Sequence, residues 1–290
     1  MFHTAANIPA DTATGTATAA TTGPATAAAT GADTGAATGV PARTRVARLR
    51  LFCFHHAGGS PWSFSGWGQR LGRGVEVVPV SMPPRAVRAA GVPGAVSTMD
   101  ALVREVTRQL TPFLDEPYAF YGHSMGSLVA YGVAQRHIAA GRRPPACFVA
   151  AAHRAPHLRA APDLTVGLSD SASLELLLGL GGAGRLLREN PARMQAVADR
   201  LREDLQVCGT YRHPAAGHRP LPCPVHVLVG SRDPLVPAED AAAWRVHTSA
   251  RFSFRTLPGG HFFNREHKEL FFTELEPLLG EAAYGVTGVV

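Results

Sequence analysis

The sequence predicts an α/β fold with a mainly parallel central sheet, because three patterns agree from about residue 48 onward. Short apolar runs of strand length alternate with amphipathic segments of helix length. The runs are apolar on both faces, which is typical of strands that helices cover on both sides. Glycines and prolines bound several of them. The alternation of the two kinds of segment favours parallel strands joined by right-handed helical crossovers.

Each element of the main fold can be assigned from these patterns. The helix predicted over 98–112 carries its apolar residues at spacings of three and four, on one face. Strands are predicted at 50–54, 75–80, 118–121, 147–151, 225–229 and 252–257, and helices at 98–112, 125–139, 237–247 and 263–279. With 290 residues, of which 46% are hydrophobic, the chain is long enough to bury a substantial core under these elements.

Residues 1–44 differ in composition from the rest of the chain. They are almost wholly Ala, Thr and Gly, with few large apolar side chains. Such a segment buries too little to offset the entropy of ordering, so we expect 1–44 to be a disordered tail and 45–284 to form the folded domain. The segment lacks the positive start and the apolar stretch of a signal peptide, and no run of about 18 apolar residues follows. We therefore expect a cytoplasmic protein with no membrane partner.

Charge and cysteine usage narrow the classes of function further. The formal net charge is +6 at pH 7, and arginine supplies almost all of the positive charge, since Lys268 is the only lysine. No basic run is interleaved with aromatic residues, so no nucleic-acid partner is expected, while a diffusely basic surface would attract an acidic protein. The cysteines form no Cys-x-x-Cys pair, which favours structural thiols over a metal or redox site; they are Cys53, Cys147, Cys208 and Cys223. No metal and no other cofactor is expected.

The most informative motif lies at residues 122–126, which read Gly-His-Ser-Met-Gly. It follows the predicted strand 118–121 and opens the predicted helix 125–139. A serine between glycines at a strand-to-helix junction is the nucleophile elbow of the α/β-hydrolases. The turn is so tight that the residues two before and two after the serine must be small. The junction also holds the Ser124 hydroxyl at a helix N-terminus, where N–H groups favour a developing anion.

One long connection interrupts the alternation of strands and helices. About seventy residues, 153–222, separate the fourth predicted strand from the fifth, and a plain crossover needs far fewer. Helical patterns at about 170–179, 182–189 and 192–207 lead us to expect a helical lid inserted over the active site of an α/β-hydrolase. Five leucines between 174 and 180 either line an acyl pocket or pack the lid onto the domain, and both interpretations stay open.

A serine hydroxyl needs a base that takes its proton. In α/β-hydrolases the nucleophile is followed along the chain by an acid and then by a histidine, each on a loop at a strand end. His261 lies directly after the sixth predicted strand and is the candidate base. We assign His247 and His267 to solvated surface, while His153 and His157, near the lid hinge, are weaker candidates.

The base in turn needs a carboxylate that orients it. Asp233 directly follows the fifth predicted strand and is the candidate acid. A capping role for Asp233 in its own turn is compatible with this assignment. We assign the other aspartates of this half to a solvated helix face (Asp240) or to the lid (Asp163, Asp170, Asp199 and Asp204).

The carbonyl that the serine attacks gains negative charge, and preorganised N–H donors stabilise it. We expect one donor to be the backbone N–H of Met125, directly after the nucleophile. The other is expected from Ala57 in the loop 55–59, where glycines let the backbone approach closely. His56 precedes Ser124 along the chain and lies on the wrong side of the elbow to act as the base. His123 is expected at most to contact the catalytic residues without touching the substrate.

Together these motifs resemble those of the type II thioesterases, the discrete editing hydrolases that accompany modular polyketide and nonribosomal peptide synthases. The resemblance covers about residues 48–279 and rests on segments 51–59, 122–126, 154–157, 210–212 and 258–263. Two positions depart from the family pattern. His55 stands where a proline is usual, and residues 82–85, which read Met-Pro-Pro-Arg, replace a Leu-Pro-Gly-Arg run.

The resemblance implies a triad of Ser124, Asp233 and His261, a mobile helical lid, and substrates carried as phosphopantetheine thioesters on acyl or peptidyl carrier proteins. The implied reaction is hydrolysis of aberrant or stalled acyl units, without a cofactor. Carrier proteins are typically acidic, which suits the basic balance of this chain. Two other functions stay open: a small-molecule carboxylesterase or lactonase, and a non-catalytic binding protein on a hydrolase scaffold. A monomer is the default expectation.

Overall fold

The computed structural model of the chain describes residues 48–72, 74–83, 96–158, 190–213 and 219–287. The predicted tail over 1–44 lies outside the described residues. So do the helical patterns at 170–179 and 182–189, together with the leucines between them. Within the described ranges, no helix is both long enough and apolar enough to cross a membrane.

In the described part of the chain, six strands form one sheet, and each neighbouring pair is parallel. The strands are β1 (Leu49–Phe54), β2 (Val75–Pro79), β3 (Tyr118–His123), β4 (Phe148–Ala151), β5 (Val225–Gly230) and β6 (Phe252–Leu257). Their order across the sheet is β2-β1-β3-β4-β5-β6. The predicted strands are all present, with ends that differ by at most two residues, and the α/β class with a parallel sheet is confirmed.

The helices follow the predicted pattern with three differences, of which the first is that the short helix Trp67–Leu71 was not predicted. The predicted helix 237–247 is helical only to Ala242 and ends in a tighter 3₁₀ segment, Ala243–His247. The predicted helix 263–279 is broken at His267, whose φ of −126° and ψ of 55° are not helical, and it continues beyond its predicted end. Within the part of the chain that the structure describes, the α-helices are α1 (Trp67–Leu71), α2 (Met99–Leu110), α3 (Met125–Ala139), α4 (Pro191–Gly209), α5 (Ala238–Ala242), α6 (Phe263–Glu266) and α7 (Lys268–Thr287).

Alternate side chains of the strands enter two cores, one on each face of the sheet. In β1, Leu51 and Cys53 belong to one core, whereas Phe52 and Phe54 belong to the other. The first core is covered by α7, which buries Phe271, Phe272, Leu275 and Leu279. The second is covered by α2 and α3, and the apolar face predicted for α2 is buried there: Met99, Leu102, Val103, Val106 and Leu110. Burial on both faces explains why the strands read as continuous apolar runs.

The junction between β3 and α3 is closely packed on both sides. A Cβ atom at Gly122 would lie 2.4 Å from the Ser127 Cα, and one at Gly126 would lie 2.1 Å from the Phe54 carbonyl oxygen. Both distances are far shorter than a van der Waals contact, and the opposing atoms are backbone. The expectation that small residues flank this turn is therefore confirmed.

Replacing Gly126 by alanine tests this packing. Gly126→Ala would push the end of β1 away from α3, and we expect the free energy of unfolding to fall by about 3 kcal/mol, as in severe overpacking. Denaturant titration measures the change. Gly68→Ala in α1 is the matched control, because nothing lies within 4 Å of a Cβ there. The control should keep or slightly raise stability. Equal stability of the two variants would contradict the close contact.

Candidate active site

Ser124 lies at this junction in a backbone conformation that residues other than glycine rarely adopt, with φ 54° and ψ −122°. Its N–H donates to the Ala151 carbonyl at 2.8 Å, and its carbonyl accepts the Ser127 N–H at 2.9 Å. The Ser127 hydroxyl donates to the Gly122 carbonyl at 2.7 Å. These hydrogen bonds offset the strain and hold the half-buried Ser124 at the carboxyl end of β3.

The strand order of the sheet places Ser124 where ligands of open α/β sheets are expected to bind. The chain passes from β1 to β2, which neighbours β1 on one side, and then to β3, which neighbours β1 on the other side. The loops that follow β1 and β3 therefore diverge at the carboxyl edge of the sheet, and ligands of open α/β sheets bind at such a point. Loop 55–59 follows β1, and Ser124 follows β3.

Asp233 and His261 are brought together at the same edge of the sheet. The His261 Nδ1 lies 2.9 Å from the Asp233 Oδ2, and the Asp233 side chain is wholly buried. The other carboxylate oxygen, Oδ1, accepts the Leu235 N–H at 2.9 Å. Because both oxygens are engaged, the carboxylate cannot rotate away from the imidazole. Asp233 therefore caps its own turn and contacts His261 at the same time, as the sequence allows.

The loops that carry these two residues touch through their main chains. A Cβ at Gly230 would lie 2.1 Å from the Gly260 carbonyl oxygen, so the end of β5 has no room for a side chain. The Arg232 N–H donates to the Gly259 carbonyl at 2.8 Å, and Gly259 has a φ of +117°, which suits glycine. The spacing between Asp233 and His261 is thus set by backbone contacts.

His123 connects the loop of His261 to the elbow. Its Nε2 lies 2.9 Å from the His261 carbonyl oxygen and donates to it, and the two rings are 5.6 Å apart. Since His123 directly precedes Ser124, this bond ties the two candidate residues together through one side chain. Among the described residues, no hydrogen bond joins the Ser124 hydroxyl to His261 itself. Catalytic hydrogen bonds often tighten only when substrate is bound.

Two further histidines near His261 are held neutral. Burial lowers the pKa of His123 well below its usual value, and the neighbouring His261 and Arg265 lower it further. Burial likewise lowers the pKa of His56, with Arg265 as the largest charged contributor. Both rings lie against Phe262, with centroids at 5.4 Å and 5.0 Å. Neither ring competes with His261 for a proton near neutral pH.

The weaker histidine candidates take up structural positions. His153 is partly buried, and desolvation lowers its pKa to about 4; its Nδ1–H donates to the Arg154 carbonyl at 2.6 Å. His267 is exposed, as predicted. The assignment of His247 to the surface is wrong, because its side chain is buried, 2.9 Å from the Tyr131 hydroxyl and 2.7 Å from the His157 Nδ1.

The two predicted oxyanion donors lie on neighbouring segments. Met125 is the first residue of α3, and the first N–H groups of a helix have no partner within it. Ala57 lies in a turn over 56–59, which the Gly59 N–H closes on the His56 carbonyl at 3.0 Å. No acceptor for the Ala57 N–H is found in the described ranges. Both N–H groups are thus available to a ligand.

One residue beside this turn, Asp204, is not recognisable as part of the site from the sequence. The Asp204 Oδ2 accepts the Gly58 N–H at 2.8 Å, although Asp204 belongs to α4 and lies 146 residues away along the chain. The signal that could have indicated it is its place three residues after Leu201 in a predicted helix. Both side chains are buried on the same face.

The cysteines and the described acidic and histidine side chains offer no evident metal site. Cys53 and Cys147 are buried, as expected from their strands, and burial raises the pKa of both thiols. None of the four cysteines, all of which lie in the described ranges, forms a disulfide. In the ranges that the structure describes, no group of three or more His, Cys, Asp or Glu residues is arranged to hold a metal ion.

The topology and the strained serine after β3 define the class of the protein, which is an α/β-hydrolase. A model of the thioesterase domain matches residues 49–279. Thioesterase PikA5 of Streptomyces venezuelae is 37% identical over 221 residues, which cover 74% of this chain and 75% of PikA5.

Solved structures agree with this match. RedJ, a thioesterase from the prodiginine pathway of Streptomyces coelicolor, has a TM-score of 0.69 at 36% identity, over 79% of this chain and 89% of RedJ. YbtT, a type II thioesterase from the yersiniabactin NRPS/PKS pathway, has a TM-score of 0.67 at 26% identity, over 83% of this chain and 96% of YbtT. The chain belongs to the thioesterase family, and within it to the type II thioesterases of polyketide and nonribosomal peptide biosynthesis. It is therefore a serine hydrolase that acts on thioesters, and the resemblance drawn from its motifs is confirmed.

The neutral histidines around the site predict how stability depends on pH. Above pH 6.5 the imidazole of His153 is neutral in both the folded and the unfolded chain. Below that pH the unfolded chain takes up a proton that the folded chain, with a pKa of about 4, does not. The free energy of unfolding should therefore fall as the pH falls from about 6.5 to about 4, by up to about 1.4 kcal/mol per pH unit for each such histidine.

Urea titrations of a His153→Asn variant at pH 7, 6 and 5 isolate this contribution. Its slope of stability against pH should be shallower than that of the parent chain by about 1 kcal/mol per unit, because one linked proton is removed. His267→Asn is the matched control, and it should leave the slope unchanged because His267 is exposed. Parallel slopes for His153→Asn and the parent would contradict the neutral state of His153 in the folded chain.

Proposed function

We propose that this thioesterase hydrolyses acyl groups, in particular aberrant or stalled units, from the phosphopantetheine arm of acyl or peptidyl carrier proteins. In this proposal Ser124 is the nucleophile, His261 the base and Asp233 the acid that orients the base. The observation that carries it is the hydrogen bond of 2.9 Å between the His261 Nδ1 and the wholly buried Asp233, on loops at the same sheet edge as Ser124.

The hydrogen bond to Asp233 sets the proton positions that the reaction needs. The carboxylate only accepts, so Nδ1 of His261 carries the proton and Nε2 is left as the acceptor for the serine proton. When Nε2 takes that proton, the imidazolium lies against a buried carboxylate, which stabilises it. Neutral His56 and His123 add no repulsion to this charge.

The reaction then follows from these positions. The Ser124 oxygen bonds to the thioester carbon, and the carbonyl oxygen, now negative, accepts the Met125 and Ala57 N–H groups. The carbon–sulfur bond breaks, and the leaving pantetheine sulfur takes the proton from His261, which makes the imidazole neutral again. Water then gives a proton to His261 and attacks the acyl-serine carbon, and His261 returns that proton to the Ser124 oxygen as the carbon–oxygen bond breaks and the carboxylic acid leaves.

We infer a carrier protein as the partner from the net charge of this chain and from the family to which the chain belongs. The net charge of +6 favours encounter with an acidic protein such as a carrier protein. A carboxylesterase or lactonase acting on free small molecules would use the same side chains, so it remains the second candidate. We also propose that the protein acts as a monomer in the cytoplasm, where carrier-bound intermediates are made.

Loss of the nucleophile is the direct test of the mechanism. Ser124→Ala should lower hydrolysis of acyl-carrier protein by about 10⁶-fold, as loss of the serine does in another serine hydrolase. Mass spectrometry of the carrier protein before and after incubation measures it. Ser231→Ala, an exposed serine two residues before Asp233, is the control and should keep full turnover. A folded Ser124→Ala protein with unchanged turnover refutes the assignment.

The same assay separates the other functions. The same acyl group should be hydrolysed faster from its thioester with a carrier protein than from its ester with a simple alcohol. The reverse order would favour the esterase. A fluorophosphonate probe should label Ser124, whereas failure to label it would favour a binding protein.

The turn over 56–59 allows a test of the oxyanion donor. Ala57 is its second residue, and Gly58, the third, has a φ of +74°, as in a type II turn, which favours proline in the second position. Ala57→Pro should therefore keep the turn but remove the N–H. We expect kcat to fall about 10²- to 10³-fold with little change in KM. Ala57→Gly, which keeps the N–H, is the matched control; equal kcat values for the two variants would exclude the Ala57 donor.

A further inference from the structure

Helix α4 lies directly on the turn that carries the proposed oxyanion donor. The Gly58 N–H donates to the Asp204 Oδ2 at 2.8 Å. A Cβ at Gly58 would lie 3.0 Å from the Leu201 Cβ and 3.3 Å from the Leu201 Cα, so the turn and the helix are in close contact. The contact therefore involves the backbone of the turn and both a polar and an apolar side chain of α4.

Asp204 is buried in this contact. Its exposed fraction is 1%, although carboxylates are seldom buried so fully without a specific partner. A buried carboxylate is costly unless hydrogen bonds compensate it, and bonds from backbone N–H groups to an ionised acceptor are among the stronger ones. The Gly58 N–H supplies such a bond. Packing of the helix alone would therefore not require a buried aspartate at this position.

The position of the bond in the turn gives it a specific effect. The Gly58 N–H belongs to the central peptide of the turn over 56–59, and that peptide points in opposite directions in type I and type II turns. An acceptor on the N–H side fixes one of the two directions. The Ala57 N–H belongs to the preceding peptide, and the two peptides meet at the Ala57 Cα. Because Gly58 directly follows Ala57, loss of this bond would let the turn shift relative to α4 and would carry the Ala57 N–H with it.

The C-terminal end of α4 is held by a separate contact. The Thr210 hydroxyl accepts the Met99 N–H at 2.8 Å and donates to the Val207 carbonyl at 2.7 Å. This contact ties the end of α4 to the start of α2, and no atom of the turn over 56–59 takes part in it. The docking of α4 and the contact of α4 with the turn can thus be disturbed one at a time.

We propose that Asp204 is a positioning residue for the oxyanion hole: it holds the turn over 56–59 so that the Ala57 N–H faces the reacting carbonyl. Asp204 acts on the donor through Gly58 and does not itself contact the reacting atoms. Since α4 belongs to the predicted lid, the hole is complete only while this helix is docked on the turn. The inference rests on the proposed oxyanion role of Ala57.

The test compares steady-state kinetics of Asp204 variants on an acyl-pantetheine thioester. Asp204→Ala should lower kcat about 10- to 100-fold, the loss expected when a catalytic group is misplaced rather than deleted. KM should stay within about twofold, because the donor acts on the transition state. Asp204→Asn should recover most of kcat, since its amide oxygen can still accept the Gly58 N–H.

Two control variants separate positioning from general stability. Asp199→Ala removes the same charge from the same helix, where Asp199 pairs with Arg202 at 2.7 Å, and it should keep kcat. Thr210→Val loosens the contact of the C-terminal end of α4 with α2 and should lower the melting temperature without lowering kcat. Should Asp204→Ala not fold, Asp204→Glu, which moves the carboxylate by one methylene group, must show the same loss.

The outcomes are distinct. A kcat for Asp204→Ala equal to that of Asp199→Ala, or an equal loss of kcat in Thr210→Val, overturns the positioning role. If Ala57→Pro is also without effect, the oxyanion assignment itself fails. If Ala57→Pro lowers kcat but Asp204→Ala does not, only the role of Asp204 is lost and the proposed function stands.

Discussion

The site depends on one close approach of backbones, between the end of β1 and the start of α3. At Gly126 a Cβ would lie 2.1 Å from the Phe54 carbonyl oxygen and 2.7 Å from that of His55. This contact fixes the elbow that carries Ser124. It equally fixes the residue from which the loop 55–59 departs. A single steric constraint therefore sets both the proposed nucleophile and the proposed oxyanion donor relative to the sheet.

A second approach of backbones does the same for the acid and the base. The contact of Gly230 with the Gly260 carbonyl brings the ends of β5 and β6 together, and the hydrogen bond between Asp233 and His261 is made across it. His123 then joins the His261 loop to the elbow. The side chains are aimed by hydrogen bonds, but their spacing comes from glycines that allow main chains to touch.

Local signals explain what could be predicted from the sequence. The strands are apolar on both faces because two cores cover them, and the elbow is recognisable because its glycines are required by contacts within a few residues. The order of loops along the chain was enough to choose Asp233 and His261 as candidates. Their hydrogen bond follows from the parallel sheet, which puts both loops at one edge.

Contacts between distant segments explain what could not be predicted. His247 reads as surface because it ends a helix, yet Tyr131, 116 residues earlier, and His157, 90 residues earlier, enclose it. Asp204 reads as one of several lid aspartates, and only its contact with Gly58 distinguishes it. In both cases the pattern identifies the helix, but the partner of the polar side chain comes from another part of the fold.

The histidine at position 55 shows how a departure from the family pattern can be accommodated. A proline there would stiffen the start of the turn by fixing its own φ. In this chain the His55 Nδ1–H donates to the His56 carbonyl at 2.8 Å, and the Gly59 N–H donates to the same carbonyl. Asp204 holds the central peptide from the other side. Hydrogen bonds thus restrain the turn where the ring of proline would have done so, and the departure leaves the proposed oxyanion hole intact.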